Sequence, residues 1–275
     1  MERVRCTLAA PSAVYSGVGL HSGAGASVRL LPAAANAGLI FRDVLTGQEI
    51  PARAENVSDT SRCTRLAHTG IEVQTVEHIL SALVGLGVDD AIIELSGGEV
   101  PAADGSAAPY VRMIQSAGLK PQGISVSTLV LQEMICVREG ASYIIVSPAP
   151  CFQATIVLDY PRHSYIGTQA AVFESALDDY ESMVAPARTF GFLSEIEALR
   201  ARGLGLGATR DNAVVLGEED YETPLRFPNE LSRHKLLDLI GDLALIGRPL
   251  QASVVAVKPG HALNTRLAVL LSSQS

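Results

Sequence analysis

The chain has 275 residues, of which 48% are hydrophobic and 18% charged, and its formal net charge is −8. The length predicts one large or two medium domains, and the globular composition excludes an intrinsically disordered chain. The acidic balance argues against a general nucleic-acid or anionic-membrane binder, because the surface of such a protein would be basic.

Cysteine usage and hydropathy predict a protein of a reducing compartment. The four cysteines are far apart and form no C-x-x-C pair, so they are not a disulfide framework. The start, MERVRCTLAAPSAV, lacks the continuous apolar region of a signal peptide. No uninterrupted apolar run reaches the roughly 18 residues that a membrane span needs. We therefore expect a cytoplasmic protein without a transmembrane segment.

Strand and helix patterns alternate along the whole chain and predict an α+β or α/β fold. Segments rich in β-branched residues predict strands at 91–95, 143–147, 152–160 and 252–258. Helical periodicity lies near 74–86, 105–117, 194–202 and 230–246. The best candidate boundary is LKPQGIS (119–125), which carries Pro and Gly. It divides the chain into domains at 1–122 and 123–275.

Two segments have the same residue types at the same spacing, which indicates a duplicated unit. EHILSALVGLGVDDAIIEL (77–95) and RHKLLDLIGDLALIGRPLQASVVAV (233–257) each have a histidine, a leucine two residues later and a glycine seven residues later. A β-branched strand follows in both. The sequence thus predicts two related halves that meet around the two histidines.

Two motifs of the first half contain candidate polar groups. SGVGLHSG (16–23) holds His21, but it lacks the strand and helix context of a nucleotide fingerprint and reads as a tight hairpin. Thr75 is placed to cap the helix that follows it. Glu77 and His78 lie off the apolar stripe of that helix, and alone they indicate only a solvated surface.

The helix predicted over 230–246 carries the most informative pattern. His234, Asp238 and Asp242 are each four residues apart and therefore lie along one side of the helix. An i, i+4 pair of His and Asp can direct two ligands at one metal ion, with a third from elsewhere. A partly buried ion pair explains the pair equally well. Asp242 is either a partner for a histidine or a solvated acid.

Three further motifs are ambiguous when taken singly. KPGHALN places His261 after a predicted strand in a Pro-Gly turn, where a lone histidine is more often merely exposed. ARTFGF (187–192) contains Thr189 between apolar neighbours, which by itself is consistent with core. PAADGSAAPY (101–110) reads as an Asp-Gly turn followed by a helix.

As a set, these motifs resemble the UDP-3-O-acyl-N-acetylglucosamine deacetylase family, which performs the committed step of lipid A synthesis. The likeness rests on SGVGLHSG, TVEHILSALVGLGVDD, PAADGSAAPYV, ARTFGF, RHKLLDLIGDLALIG and KPGHALN, in the family's order. It implies an α+β fold of two related halves, each a layer of helices on a small sheet, with the active site at their junction.

The resemblance also implies the chemistry of individual residues. Zinc, or Fe²⁺ in its place, would be held by His78, His234 and Asp238. Glu77 would be the general base and His261 the general acid, with Asp242 orienting His261. Thr189 would donate a hydrogen bond to the oxyanion.

The implied substrate is a UDP-linked acylated amino sugar. Lys235 would contact its sugar-nucleotide part. An acyl channel is expected in an insert near 190–215, with walls drawn from Leu20, Phe190, Phe192 and Leu204. His21 is also expected to bind the substrate. The family often has a basic residue where this chain has Ala141 and Ser142, so part of the phosphate binding is expected either to differ or to come from Arg138 or Arg162.

Two other functions remain open from the sequence. One is a non-catalytic sugar-nucleotide or acyl-chain binding protein of the same fold, against which the intact acid and base speak. The other is a purely structural zinc site, which would usually have four protein ligands, often cysteines. Nothing indicates an obligate protein partner, and the preferred acyl length and the oligomeric state are not predictable.

Overall fold

The computed structural model describes residues 3–274 and has helices and strands throughout. The strands are β1 (Val4–Leu8), β2 (Tyr15–Val18), β3 (Gly25–Pro32), β4 (Leu39–Asp43), β5 (Glu49–Pro51), β6 (Val57–Asp59), β7 (Arg65–His68), β8 (Ile71–Gln74), β9 (Ala91–Ser96), β10 (Leu119–Ser125), β11 (Leu129–Val130), β12 (Ile135–Glu139), β13 (Ser142–Ser147), β14 (Gln153–Tyr160), β15 (Gly167–Glu174), β16 (Phe190–Phe192), β17 (Val214–Leu216), β18 (Leu250–Gln251) and β19 (Ser253–Val257). The α-helices are α1 (Glu77–Gly85), α2 (Ala108–Ala117), α3 (Tyr180–Met183), α4 (Ile196–Ala201), α5 (Glu230–Leu243) and α6 (His261–Ser272), and short 3₁₀ turns span Ala54–Asn56, Leu193–Glu195 and Ala244–Ile246.

Two five-stranded sheets have the same topology, one in each half of the chain. Their strand orders are β2-β3-β9-β4-β5 and β12-β13-β19-β14-β15. In each sheet the third and fourth strands are parallel, and every other neighbouring pair is antiparallel. The two related halves predicted from the repeated helix–strand pattern are therefore present, and the α+β fold class is confirmed.

Helices α1 and α5, the helices of the repeated pattern, pack directly against each other. Gly241 of α5 lies so close to α1 that a Cβ atom there would be 2.0 Å from the carbonyl oxygen of Glu77. Only a residue without a side chain allows this approach of two backbones. Because Gly241 faces Glu77, the N-terminal turn of α1 is held against the C-terminal turn of α5.

Alternating burial explains why the strand patterns were predictable. In β9, Ala91, Ile93 and Leu95 are buried, and the residues between them are partly exposed. Side chains on alternate positions of a strand point to opposite faces, so one face joins the core and the other does not. The buried faces of both sheets and the apolar sides of α1 and α5 form one continuous core.

One local expectation was wrong. Thr75 does not cap α1: it has a positive φ of 60°, its hydroxyl donates to Glu99, and the residue before the helix is Val76. The segment 119–125, expected to be a boundary, is strand β10 and pairs antiparallel with β1. Pro and Gly are tolerated there because the strand belongs to an exposed two-stranded sheet. The division into 1–122 and 123–275 stays a prediction.

The segment 190–215 forms a small unit of its own. Strand β16 pairs in parallel with β17, and α4 lies between them in the chain.

Among residues 3–274, no helix is both long and apolar enough to cross a membrane.

Candidate active site

Three side chains converge where α1 meets α5. The ligand atoms of His78, His234 and Asp238 all lie within 4.8 Å of one another, and all three residues are buried. The Nε2 atoms of His78 and His234 are 3.7 and 3.3 Å from Asp238 Oδ1. The i, i+4 spacing places two of the groups on one side of α5, and the packing of α1 supplies the third.

The donor set fits a divalent metal ion. Asp238 Oδ1 is buried and has no hydrogen-bond partner among the described residues, which is a costly state for a carboxylate oxygen unless a cation binds it. His234 donates its Nδ1 hydrogen to the carbonyl of Ala187 at 3.1 Å, so the lone pair of its Nε2 faces the cluster.

Protonation states of the three groups also suit metal binding. Burial and the neighbouring His234 lower the pKa of His78 to about 3, and burial lowers the pKa of His234 despite the charge of Asp238. Burial would raise the pKa of Asp238, but interactions with His234, Lys235 and His261 outweigh burial and hold that pKa well below its usual range. Two neutral imidazoles and one carboxylate are the forms that bind metal.

An acid–base pair lies beside this cluster. The Nε2 atom of His261 is 3.9 Å from Glu77 Oε1 and 4.0 Å from Asp238 Oδ2. The opposite ring nitrogen, Nδ1, donates to Asp242 Oδ2 at 2.9 Å. This hydrogen bond fixes the ring so that Nε2 points at Glu77 and into the cleft.

Charges within the pair set its titration. Burial by itself would lower the pKa of His261, but the negative charges of Asp242 and Glu77 raise it to about 9. Burial raises the pKa of Glu77 to about 8, against the opposing charge of His261. His261 is therefore cationic at neutral pH, and a cation bound at the neighbouring carboxylate would favour the ionised form of Glu77.

Two residues that support this pair were missed by the sequence reading. The backbone N–H of Thr64 donates to Glu77 Oε2 at 3.0 Å, and its hydroxyl donates to Asp242. Asn264 donates to Asp242 Oδ2 at 2.9 Å. Asn264 was findable, since it lies three residues after His261 on α6, whereas nothing in the sequence around Thr64 marks it.

The sequence alternatives for single residues can now be decided. Glu77 and His78 are 2% and 4% exposed, so they are not a solvated helix surface. His261 is not in an exposed turn: it is the first residue of α6 and is 8% exposed. The local sequence pattern was misleading because these residues are buried where the two halves of the chain meet. Burial raises the pKa of the Cys63 thiol to about 12, and no cysteine belongs to the metal cluster of the described residues.

A cleft of about 480 Å³ opens onto the cluster, and Thr189 and Lys235 line it. The backbone N–H of Thr189 donates to the carbonyl of Gly105 at 2.8 Å, which ties ARTFGF to the Asp-Gly turn of the first half. Lys235 donates to Asp238 Oδ2 at 2.8 Å, and its Nζ atom is 5.4 Å from the ring centroid of Phe190.

Arg138 and Arg162, expected near a diphosphate, do not line the cleft. Both are exposed, and Arg138 donates to the carbonyl of Gly140 in its own hairpin. Besides Lys235, the basic residues that line the cleft are Arg62 and Lys258. The structure therefore brings neither arginine to the cleft, and the hairpin directs Arg138 back to its own turn.

A second cavity of about 290 Å³ adjoins the cleft and is mainly apolar. Its lining includes the four expected wall residues, Leu20, Phe190, Phe192 and Leu204, and also His21. The turn that carries His21 is held by the buried carboxylate of Glu99, which accepts the N–H groups of His21 and Ser22 at 2.8 Å. Both ring nitrogens of His21 are buried without a hydrogen-bond partner in the described part of the chain.

Comparison with known proteins identifies similar sequences over almost the whole chain. The sequence model of the UDP-3-O-acyl N-acetylglycosamine deacetylase family matches residues 5–273. Three curated relatives carry the name UDP-3-O-acyl-N-acetylglucosamine deacetylase. The relative from Myxococcus xanthus (strain DK1622) is 42% identical over 259 residues, which are 93% of this chain and 82% of the relative.

The other two relatives come from different bacteria. The protein of Anaeromyxobacter dehalogenans (strain 2CP-C) is 42% identical over 268 residues, which are 97% of this chain and 84% of the relative. The protein of Thermosynechococcus vestitus (strain NIES-2133 / IAM M-273 / BP-1) is 43% identical over 268 residues, which are 96% of this chain and 93% of the relative. The residues matched by the family model, 5–273, span every motif described above.

Proposed function

Because the chain belongs to the UDP-3-O-acyl N-acetylglycosamine deacetylase family, we propose that it removes the N-acetyl group from UDP-3-O-acyl-N-acetylglucosamine in lipid A biosynthesis. The reaction is the hydrolysis of an amide to acetate and an amine. The observation that carries the proposal is the placement of Glu77 and His261, 3.9 Å apart, beside three buried metal-ligand groups in one cleft.

Zinc is the metal we assign to His78, His234 and Asp238. Two histidines and one carboxylate form a known catalytic zinc set, although ferrous iron also accepts these ligands. Three protein ligands leave a position for water or substrate, unlike a closed structural site. When bound, zinc supplies Lewis-acid chemistry, which acidifies water and polarises a carbonyl group.

The remaining steps belong to residues of the chain. Glu77 Oε1 takes a proton from the water that attacks the acetamide carbonyl. The hydroxyl of Thr189 donates a hydrogen bond to the oxyanion that forms. His261 gives its Nε2 proton to the leaving amine as the C–N bond breaks. It keeps its Nδ1 proton, which is hydrogen-bonded to Asp242. Asp242 thereby holds the ring in position and stabilises its positive charge.

Recognition of the substrate follows from the two cavities. Arg62, Lys235 and Lys258 bring positive charge to the cleft of an acidic protein, which suits a diphosphate. The adjoining cavity of about 290 Å³ has an apolar lining suited to an acyl chain. Leu20 and Phe190 line both spaces, so they lie where the sugar would meet its acyl group.

The direct test is acetate release from UDP-3-O-acyl-N-acetylglucosamine by metal-defined protein, before and after chelation. We expect release that a chelator abolishes and that substoichiometric zinc restores. Ferrous iron in a parallel anaerobic sample shows which metal supports the faster rate. Folded, zinc-loaded protein that releases no acetate across several acyl lengths would instead favour a non-catalytic binding protein.

The pH dependence of the rate is expected to be bell-shaped. On the alkaline side, kcat/KM falls as pH rises through about 9, because the proton on His261 that the leaving amine needs is lost. On the acid side it falls as Glu77 becomes protonated. Asp242→Asn should move the alkaline limb to lower pH, because the carboxylate charge raises the pKa of His261. An unchanged alkaline limb in both Asp242→Asn and His261→Gln would contradict the assignment of the acid.

A further inference from the structure

A buried ion pair outside the proposed chemistry lies at the start of α5. Glu230 is completely buried and precedes His234 by one helical turn. Its Oε1 accepts the backbone N–H and the Nε of Arg188 at 3.0 and 2.9 Å, and its Oε2 accepts Arg188 Nη2 at 3.1 Å and the N–H of Arg226 at 2.6 Å. Burial would raise the pKa of Glu230, but the hydrogen bonds from Arg188 and Arg226 hold it below its usual value.

The partner of Glu230 belongs to a three-residue segment that touches the site at both ends. Before Arg188, the carbonyl of Ala187 accepts the Nδ1 hydrogen of His234. After Arg188, Thr189 lines the cleft. The backbone of Thr189 is held by Gly105, and its carbonyl accepts the N–H of Val214 at 2.8 Å. One ion pair therefore lies between the carbonyl that orients a metal ligand and the proposed oxyanion donor.

We propose that Glu230 is a positioning residue that holds Ala187 and Thr189 in register with the metal ligands of α5. The inference rests on the proposed function, since it assigns a role to His234 and Thr189. Glu230 and His234 are four residues apart and lie along one side of α5. The segment 187–189 is consequently attached to the helix twice, through Arg188 and through Ala187, and cannot turn about either attachment alone.

Replacement by glutamine would break this arrangement without changing its size. The carboxylate receives donors on both oxygens, whereas an amide has one oxygen and presents N–H groups at its other end. At least one donor of Arg188 or Arg226 would then face another donor in a buried space. The guanidinium of Arg188, which also donates to the carbonyl of Pro224 at 2.7 Å, would lose its counter-charge.

A purely structural ion pair is the competing explanation, and the chain contains a matched control. Arg5 donates from Nε and Nη2 to the two oxygens of Asp90 at 2.8 and 2.9 Å, and Asp90 is completely buried. Asp90 also accepts the N–H of Gly38 at 2.7 Å. It contacts none of the metal ligands or acid–base residues, so Asp90→Asn reproduces the loss of a buried bidentate pair away from the site.

The test compares Glu230→Gln with Asp90→Asn in the full-length zinc-loaded protein, at a temperature where circular dichroism shows both folded. Both variants should unfold at lower temperature than the wild type. Only Glu230→Gln should bind zinc more weakly, by about tenfold or more in competition with a chelator, as for other partners of ligand histidines. It should also lower kcat more than it changes KM, because Thr189 acts in the transition state.

Equal zinc affinity of Glu230→Gln and the wild type would overturn the inference, as would the same loss in Asp90→Asn. If Glu230→Gln does not fold, Arg188→Lys replaces it, because lysine keeps the positive charge but cannot donate to both carboxylate oxygens in the same way. A smaller loss of zinc affinity is then expected, and an unchanged zinc affinity would contradict the inference. A wild type that binds no zinc would instead refute the proposed function itself.

Discussion

Glu77→Gln is expected to lower kcat for acetate release by about 10²-fold or more while zinc binding is kept. Glutamine has the size of glutamate and can still accept the N–H of Thr64, so α1 should keep its place. It cannot take a proton from water, and it removes one of the negative charges that raise the pKa of His261. Initial rates, zinc content by elemental analysis and the unfolding temperature are measured on the same preparation.

Asp238→Ala is the contrasting variant for this prediction. Removing that carboxylate takes away a ligand and should abolish stoichiometric zinc, so that activity and metal are lost together. Glu77→Gln should separate the two. Full activity of Glu77→Gln would exclude Glu77 as the base, and a parallel loss of zinc would show that the glutamate acts through the metal ligands.

Gly241→Ala is expected to destabilise the protein and to reduce its activity strongly. In an isolated helix the same change would stabilise by about 1 kcal/mol, because glycine is the poorer helix former. Here the added Cβ would be 2.0 Å from the carbonyl oxygen of Glu77 and 2.9 Å from its Cα. Backbone atoms cannot yield as a side chain can, so α1 must move away from α5. We expect a loss of about 1–3 kcal/mol in the free energy of unfolding, as for other overpacked cores.

The displacement should also separate the metal ligand on α1 from the two on α5. Zinc affinity is therefore expected to fall together with kcat in Gly241→Ala. Gly25→Ala is the matched control, since a Cβ at Gly25 meets no atom within 4 Å. Its unfolding free energy and rate should stay near those of the wild type. A Gly241→Ala protein as stable and active as the wild type would mean that the two helices can separate without cost.

The same glycine shows how a pattern in the sequence differs from its physical cause. A glycine follows each repeated histidine by seven residues, at Gly85 and Gly241. In the sequence this was weak support for a duplication. In the structure the two glycines have different neighbours: a Cβ at Gly85 would meet the ring of Tyr180 at 2.6 Å, and one at Gly241 would meet the backbone of α1. Each glycine permits a close approach, and the partner is set by tertiary packing.

By itself, the sequence determined whatever depends on neighbouring positions in the chain. The four strands and four helices predicted from sequence patterns are present, whereas α6 and most of the shorter strands were not predicted. The two ligand groups of α5 followed from an i, i+4 spacing, because 3.6 residues per turn place them on one side. Composition set the class of chain, and the order of six motifs carried the resemblance to a family. Local signals were misleading at two places. Thr75, which has a residue type common at helix starts, donates to Glu99 and does not cap α1. The Pro- and Gly-containing segment 119–125 forms strand β10.

Only the tertiary structure decided which of these groups meet. His78 and Glu77 reach Asp238 and His261 because α1 packs on α5, and this depends on contacts between distant parts of the chain. Burial follows from the same packing and lowers the pKa of His78, so that this ligand is neutral. The negative charges of Asp242 and Glu77, which the same packing brings to His261, raise its pKa and make it cationic. Thr64 and Glu230 support the site through partners far away in the sequence, so no local pattern could reveal them.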